Sequence, residues 1–397
     1  MLNLESLKKY KAQYKNELFD NVIPFWVNNS IDIDSGGFIT CLDREGNVYD
    51  TDKFIWLQAR QVWTFSMLYN RHENKQEWLD IATHGINFLK KHGRNNNGDW
   101  YFSLTQKGKP LVEPYNIFSD CFAALAFGEY ALATGDDTCT NIASTTFSNI
   151  LSRQNNPKGK FNKSIYATRP LKSFSLPMIL ANLTFELKWI IGEGSFKKHS
   201  EQFLSEIMNT FLDKELLLIK ENVVTSGNQL DSFEGRLINP GHGIEGMGFV
   251  MDVANELGRK EVINKAVEIM ISTLEFGWDQ KHEGIFYFMD AKGKPPLSLE
   301  WDQKLWWVHL EALFSLVKAF SLTGDKRCWA WFEKIHQYTW AHFPDPQFGE
   351  WYGYLNRQGD PLLQIKGGKW KGFFHVPRSL FRIWKVLEEL EKNKKPS

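Results

Sequence analysis

An internal repeat constrains this chain more than any single motif. The segment DSGGFITCLDREGNVYDTDKFIWLQARQVWTFSMLY, from Asp34, shares its layout with HEGIFYFMDAKGKPPLSLEWDQKLWWVHLEALFSLVKAF, from His282, and with FGEWYGYLNRQGDPLLQIKGGKWKGFFHVPRSLFRIWKV, from Phe348. Each sets a glycine beside an aromatic, then a short alternating run, a turn, a second strand-like piece and a helix rich in Trp and Phe. The turns are Arg44-Glu45-Gly46, Ala291-Lys292-Gly293 and Arg357-Gln358-Gly359. A fourth copy starts at Asn97 (NGDWYFSLTQKGKPLVEPYNIFSDCFAALAFGEYAL). Two degenerate copies fall at Lys158-Gly159-Lys160-Phe161 and from Asp231 to Met247. The anchor glycines recur about every 50 to 75 residues, the size of one helical hairpin with its loop.

Amphipathic stretches separate the copies. From Lys75 to His92, residues Trp78, Ile81, Ala82, Ile86 and Leu89 make one stripe at helical spacing. Lys260 to Phe276 and Asp325 to Phe343 repeat the pattern. Each unit therefore reads as an outer amphipathic helix, a β-hairpin loop and an inner helix that is apolar nearly all round and must be buried. About six such units predict an all-α fold, an (α/α)6 barrel, with the hairpin loops at one end. No Ser-, Gly- or Pro-rich linker interrupts the chain, so 1–397 reads as one domain. Chemistry is expected in a cleft walled by the loops and the first turns of the inner helices.

The formal net charge is zero, from 47 basic and 47 acidic residues, without the basic surplus of a nucleic-acid partner. Sixteen Trp and 30 Phe fit either a ring-stacking carbohydrate cleft or a large aromatic core. Cys41, Cys121, Cys139 and Cys328 have no metal-ligand spacing and imply no pairing. The first fifteen residues are charged and amphipathic and read as a helix rather than a signal peptide. No apolar run approaches the roughly 20 residues of a membrane span. A cytoplasmic protein with reduced thiols is expected.

Four residues stand at loop-to-inner-helix junctions in four different units: Arg60 in KFIWLQARQVW, His242 in NPGHGIE, Glu311 in KLWWVHLEA and His375 in KGFFHVPR. Only a closed barrel brings them together. Glu245 follows His242 by three residues and faces the same side. His242 lies between glycines that allow a ligand close, just after Pro240 opens a helix. His375 is a proton carrier or a histidine packed by Phe373, Phe374 and Pro377. Arg60 is a site cation or a buried ion-pair partner of Glu311, and His309 can serve in place of Glu311. Two histidines with a glutamate could hold zinc given a third ligand, yet HExxH is absent, and no metal is expected. Glu245 and Glu311 could act as paired glycosidase carboxylates. A histidine pair suits proton transfer near neutrality better.

KFIWLQARQVW, NPGHGIE, LEWDQKLWWVHLEA, FGEWYGYLNRQG and IKGGKWKGFFHVPR resemble the corresponding motifs of the N-acylglucosamine 2-epimerase family, from about Asp34 to about Arg378. The resemblance implies the (α/α)6 barrel, a homodimer, and interconversion of N-acetylglucosamine and N-acetylmannosamine. It implies His242 and His375 as the acid/base pair, with Arg60 and Glu311 essential beside them. Glu245, Trp370, Trp306 and His309 are the implied substrate-binding residues. Trp370 matches an aromatic that stacks on sugar in the cellobiose relatives. The resemblance also implies stimulation by ATP that is not consumed, and KGKFNKS, with Gly159, Lys160 and Lys163, is similar to a nucleotide segment of bacterial members. That stretch lacks the GxxxxGK[ST] spacing, and a lysine-rich turn is its other reading. No redox cofactor or metal is needed. Another sugar epimerase or isomerase on the same barrel and a non-catalytic sugar-binding protein are the alternatives.

Overall fold

Two kinds of helix alternate along the chain in the computed structural model, which describes residues 4–163, 165, 168–224 and 230–394. The outer layer comprises α1 (Leu4–Asn16), continued through a π-helical turn into α2 (Ile23–Asn29), then α4 (Gln76–His92), α6 (Asp137–Arg153), α8 (Lys188–Glu206), α11 (Lys260–Gly277) and α13 (Lys326–His342). The inner layer comprises α3 (Ile55–Arg71), α5 (Ile117–Thr134), α7 (Ser175–Glu186), α10 (Pro240–Glu256), α12 (Trp306–Thr323) and α14 (His375–Lys394), with a single turn α9 (Phe233–Arg236) ahead of α10. Composition sorts the layers. Outer α4 buries the expected stripe of Trp78, Ile81, Ala82, Ile86 and Leu89, joined by Gly85 and Phe88. Inner α12 is buried without interruption from Trp306 to Ala319. Helix α5 is long and apolar enough to cross a membrane, but it spends that surface inside the barrel. Asn116, Asp136, Asn239 and Asp325 accept backbone N–H groups at four helix starts, each worth about 1 kcal/mol.

Order along the chain becomes order around a ring, giving the (α/α)6 barrel. The first and last inner helices close it. Thr64 Oγ1 on α3 donates to Phe373 O at 2.8 Å, and Trp63 meets Phe374 edge-on at 5.3 Å. One contiguous apolar core runs through all six inner helices. Across one end, inner helices hand over to outer ones through short links at 72–75, 135–136, 187, 257–259 and 324–325. Ion pairs lie there: Arg71 with Glu129 and Glu186 at 2.7 and 2.8 Å, Arg382 with Glu186, and Lys318 with Asp252. The six long connections all emerge at the other end.

Those loops differ from the expected row of independent hairpins. The strands are β1 (Lys53–Phe54), β2 (Ser103–Leu104), β3 (Pro110–Val112), β4 (Leu171–Ser173), β5 (Leu212–Asp213), β6 (Leu218–Ile219), β7 (Asn222–Val224), β8 (Leu237–Ile238), β9 (Met289–Asp290), β10 (Lys304–Leu305) and β11 (Tyr354–Leu355). Only β2·β3 and β5·β6 pair within one loop. The rest join successive loops: β1·β2, β4·β7, β8·β9 and β10·β11, all antiparallel, with an Asp43–Ile365 bridge between the first loop and the last. Strands of two or three residues make too few bonds to stand as hairpins, so each borrows its neighbour's backbone. The turns themselves match expectation: Gly46 and Gly359 hold φ of 92° and 96°, where a side chain would be strained. The degenerate copy at Lys158–Phe161 is a lone 3₁₀ turn rather than a strand.

The basic stretch before His375 turns two of its three lysines, Lys366 and Lys371, inward and leaves Lys369 exposed. Lys371 Nζ donates to Glu350 Oε1 at 2.7 Å, Trp26 Nε1 to Glu350 Oε2 at 2.6 Å, and Lys366 pairs with Asp345 at 2.9 Å, all fully buried. Gly367 lies so close to the first loop that a Cβ there would stand 2.1 Å from Thr40 O. This buried lattice fixes the loop that delivers His375 to the barrel mouth.

Candidate active site

A cavity of about 600 Å³ opens at the loop end. All six inner helices contribute, because their first turns all face this end. His242 is the third residue of α10, and its backbone N–H is held by the Asn239 cap at 3.1 Å. His375 opens α14. The indole of Trp307 lies between them, 5.4 Å from the His242 ring and 5.9 Å from the His375 ring. Two imidazoles far apart in sequence thus flank one aromatic platform in a space of sugar size.

Each imidazole is backed by a carboxylate. His375 Nδ1 lies 2.8 Å from Glu311 Oε1, and His242 Nδ1 lies 2.9 Å from Glu221 Oε2. A carboxylate only accepts, so Nδ1 carries the hydrogen in both rings and Nε2 is left for the cavity. The two differ in charge preference. Burial pushes the His375 pKa down to about 4, with Arg60 and Arg378 adding to the effect and outweighing Glu311. Burial opposes protonation of His242 as well, but the Glu221 charge and hydrogen bond, with Glu245, prevail and raise its pKa. The resting pair is a neutral imidazole facing one that favours its proton.

Glu311 lies behind His375 rather than on the cavity wall, 1% exposed, and also receives Arg378 Nη1 at 2.6 Å. It stands beside the histidine pair as expected, placed to orient the His375 ring and fix its tautomer. Burial would raise the Glu311 pKa, but Arg378 and His375 pull it down to about 2. The expected Arg60–Glu311 ion pair is absent among the described residues, because Arg378 occupies Glu311. Arg60 lies in a cage of rings instead, its guanidinium 3.9 Å from Phe122, 4.7 Å from Trp56 and 4.9 Å from Phe374. Its Nε is buried without a partner. Burial lowers its pKa to about 9, so the cation persists at neutrality and faces the cavity uncommitted. Glu245 lines the floor. Burial, reinforced by the Glu311 charge, raises its pKa to about 7. Glu245, Glu311 and His375 bring their ligand atoms within 4.8 Å of one another, but Arg378 stands 3.9 Å from Glu245 and 2.6 Å from Glu311. A guanidinium already supplies the positive charge between these carboxylates.

Trp306 and Trp370 line the cavity as expected. Trp370 sits half exposed at the rim, edge-on to Trp56 at 5.3 Å. His309 does not reach the site. Its Nε2 accepts from Ile285 N at 3.0 Å, its Nδ1 meets Leu305 O at 2.8 Å, and its ring stacks on Tyr338. Three residues beyond Trp306, it points to the outer layer, and burial lowers its pKa to about 3. Gly159, Lys160 and Lys163 are exposed on the third loop, away from the cavity, and Ser164 of that stretch lies outside the described residues. Sequence reasoning missed Arg378, Glu221 and Trp307. Arg378 had a signal, since it follows His375 by one helical turn.

The family model for N-acylglucosamine 2-epimerase (GlcNAc 2-epimerase) matches residues 37–379. The chain is 36% identical over 396 residues to N-acylglucosamine 2-epimerase of Bos taurus, covering 97% of this chain and 93% of that one. It is 35% identical over 394 residues to the Homo sapiens protein of the same name, covering 97% and 92%. Its fold is similar to cellobiose 2-epimerase from Bacillus thermoamylovorans B4167, with a TM-score of 0.82 at 20% identity over 95% of this chain and 99% of that one.

Proposed function

The chain belongs to the N-acylglucosamine 2-epimerase family, and from that premise we propose that it interconverts N-acetyl-D-glucosamine and N-acetyl-D-mannosamine by moving a proton at C2 of the ring-opened sugar. One observation carries the reading: two carboxylate-backed imidazoles flank a single indole inside one sugar-sized cavity.

The C2 hydrogen is not acidic in the closed ring. Opening exposes the C1 aldehyde, and C2 becomes α to a carbonyl. Neutral His375 takes the C2 proton on Nε2. The electron pair left at C2 moves into a C1–C2 double bond, and negative charge collects on O1. Arg60, caged and unpaired, is suited to that charge, and a fixed cation in a dry site contributes several kcal/mol. His242 then returns a proton from its Nε2 to the opposite face, which inverts C2. Two bases on opposite sides do this without turning the intermediate over. Glu245, with a pKa near the working range, is suited to the proton traffic of ring opening. Trp307 walls the side of the sugar between the two histidines, and Trp306 and Trp370 flank the entrance.

Incubation with N-acetylglucosamine in D₂O tests this. N-acetylmannosamine should appear with deuterium at C2. Product without C2 deuterium would leave a two-base exchange with solvent untenable, and no product would end the reading. Half-exposed Trp370 at the rim favours one second reading, a disaccharide 2-epimerase whose outer ring rests there, and product analysis with cellobiose separates the two. A homodimer, a cytoplasmic location and stimulation by ATP without a redox cofactor complete the proposal. Sedimentation and activity with and without ATP test the first and third.

A further inference from the structure

We propose that Asn182 recognises the acylamino group of the substrate and that Met178, Ile179 and Phe118 receive its alkyl end, an assignment that rests on the N-acyl sugar reading above. Helix α7 presents Ser175, Met178, Ile179 and Asn182 to the cavity at i, i+3, i+4 and i+7, a single stripe down one face. An inner helix normally fills such a face with apolar side chains. Here an amide lies two turns below the mouth, only 6% exposed yet open to the cavity, and no side-chain hydrogen bond among the described residues ties it to the barrel. Other buried amides in the barrel each hold at least one protein partner, although Gln61 Oε1 and Asn239 Nδ2 are left without one. Gln58 bonds both N–H and C=O of Phe38, and Asn116 and Asn239 cap helices. An amide held by the barrel wall and turned to the cavity without a protein partner keeps both its donor and its acceptor for a ligand.

The reaction geometry says what that is. The proton leaves C2 on one face and returns on the other, so the two histidines define a line through C2. The trigonal carbon of the intermediate keeps its nitrogen in the plane perpendicular to that line. Trp307, between the histidines on α12, fills one side of that plane. Helix α5 lies across the barrel from α12, and α7 lies beside α5, so the other side opens on Phe118, Met178, Ile179 and Asn182. An acylamino group brings one N–H donor and one C=O acceptor on a short apolar tail. A primary amide answers both polar atoms at once, with Oδ1 accepting and Nδ2 donating. Met178 and Ile179, one turn earlier on α7, supply the apolar contact. A hydroxyl at C2 would leave half of that amide unpaired, so the site discriminates for the acyl sugar. Gln303 also lines the cavity but is only partly buried, in a loop, where water can satisfy it.

Asn182→Leu, close in size, removes both hydrogen bonds, and the test reads competitive inhibition by the non-cyclising alditols N-acetylglucosaminitol and glucitol. The variant should bind N-acetylglucosaminitol at least about tenfold more weakly while glucitol changes less than about twofold, and kcat/KM for N-acetylglucosamine should fall with the former. Ile179→Phe should lower kcat/KM for N-propanoylglucosamine more than for N-acetylglucosamine. Parallel weakening of both alditols in Asn182→Leu, no weakening of either, or a wild type without preference for the acetamido alditol overturns the assignment. A wild type that epimerises N-acetylglucosamine while the alditol ratio survives Asn182→Leu removes Asn182 alone. A wild type with no epimerase activity removes the underlying reading as well.

Discussion

Glu311→Gln keeps shape and removes one charge, and its consequences follow from three contacts. As a carboxylate, Glu311 accepts from His375 Nδ1 at 2.8 Å and from Arg378 Nη1 at 2.6 Å, and its charge helps raise the Glu245 pKa to about 7. The amide can donate as well as accept. If it donates to Nδ1, the imidazole hydrogen moves to Nε2, and the cavity faces a donor where the base belonged. The same carboxylate-to-amide change in a Ser-His-Asp triad lowers kcat about 10⁴-fold through the wrong tautomer. Here the expected fall is about 10²- to 10⁴-fold in kcat with little change in KM. Loss of one partner from a buried ion pair costs about 3–5 kcal/mol, and the retained hydrogen-bond acceptor puts this case at the lower end. The sign with pH follows from the lowered Glu311 pKa. Its contribution to stability is present above the unfolded carboxylate value and lost as pH falls through about 2, so wild type and variant should converge in acid. Chemical denaturation at pH 7 and pH 3, kcat by coupled assay, and the pH profile measure the three effects. The profile adds an independent sign: without the Glu311 charge, the ionisation of Glu245 should move down from about 7. A variant with kcat within about threefold of wild type and an unmoved ionisation would refute the dyad.

His242→Ala and His375→Ala should each lower kcat by more than about a hundredfold, measured with C2 deuterium exchange as a second readout; near-normal exchange removes that residue from the mechanism. Lowered burial-driven pKa at His375 means the unfolded chain binds a proton the folded one refuses. Stability should therefore fall as pH drops from about 6.5 toward 4, and His375→Asn should flatten that slope in denaturant titrations. Glu245→Gln should delete an ionisation near pH 7 from the kcat/KM profile. Lys371→Met strands buried Glu350 and should cost about 3–5 kcal/mol in urea unfolding; an unchanged midpoint would show the lattice behind the His375 loop to be dispensable.

Helix type and layer were legible because burial writes itself into periodicity. Most positions on every side of α5 and α12 are apolar, while α4, α11 and α13 carry one stripe. His242, His375 and Arg60 were legible because they are polar residues at the starts of otherwise apolar helices. Glu221 was not, since a loop carboxylate has no spacing that ties it to a helix twenty residues on. His309 misled because Trp306 and His309 are three apart, yet a single position in helical phase separates the cavity from the outer layer; neighbouring Trp307 took the central place. Strand pairing was invisible for a related reason. Two-residue strands have no alternation, and their partners belong to other repeats.

The belt formed by those strands links the rim into an almost continuous hoop, fastened at five of its six junctions among the described residues. Between the second and third loops no strand bridges among the described residues, and β3 ends there as an exposed edge. Lengthening any other loop must disturb two neighbours at once. Insertions that reshape access to the sugar are therefore tolerated best on the two sides of that one unlatched junction, after β3 in the second loop and before β4 in the third.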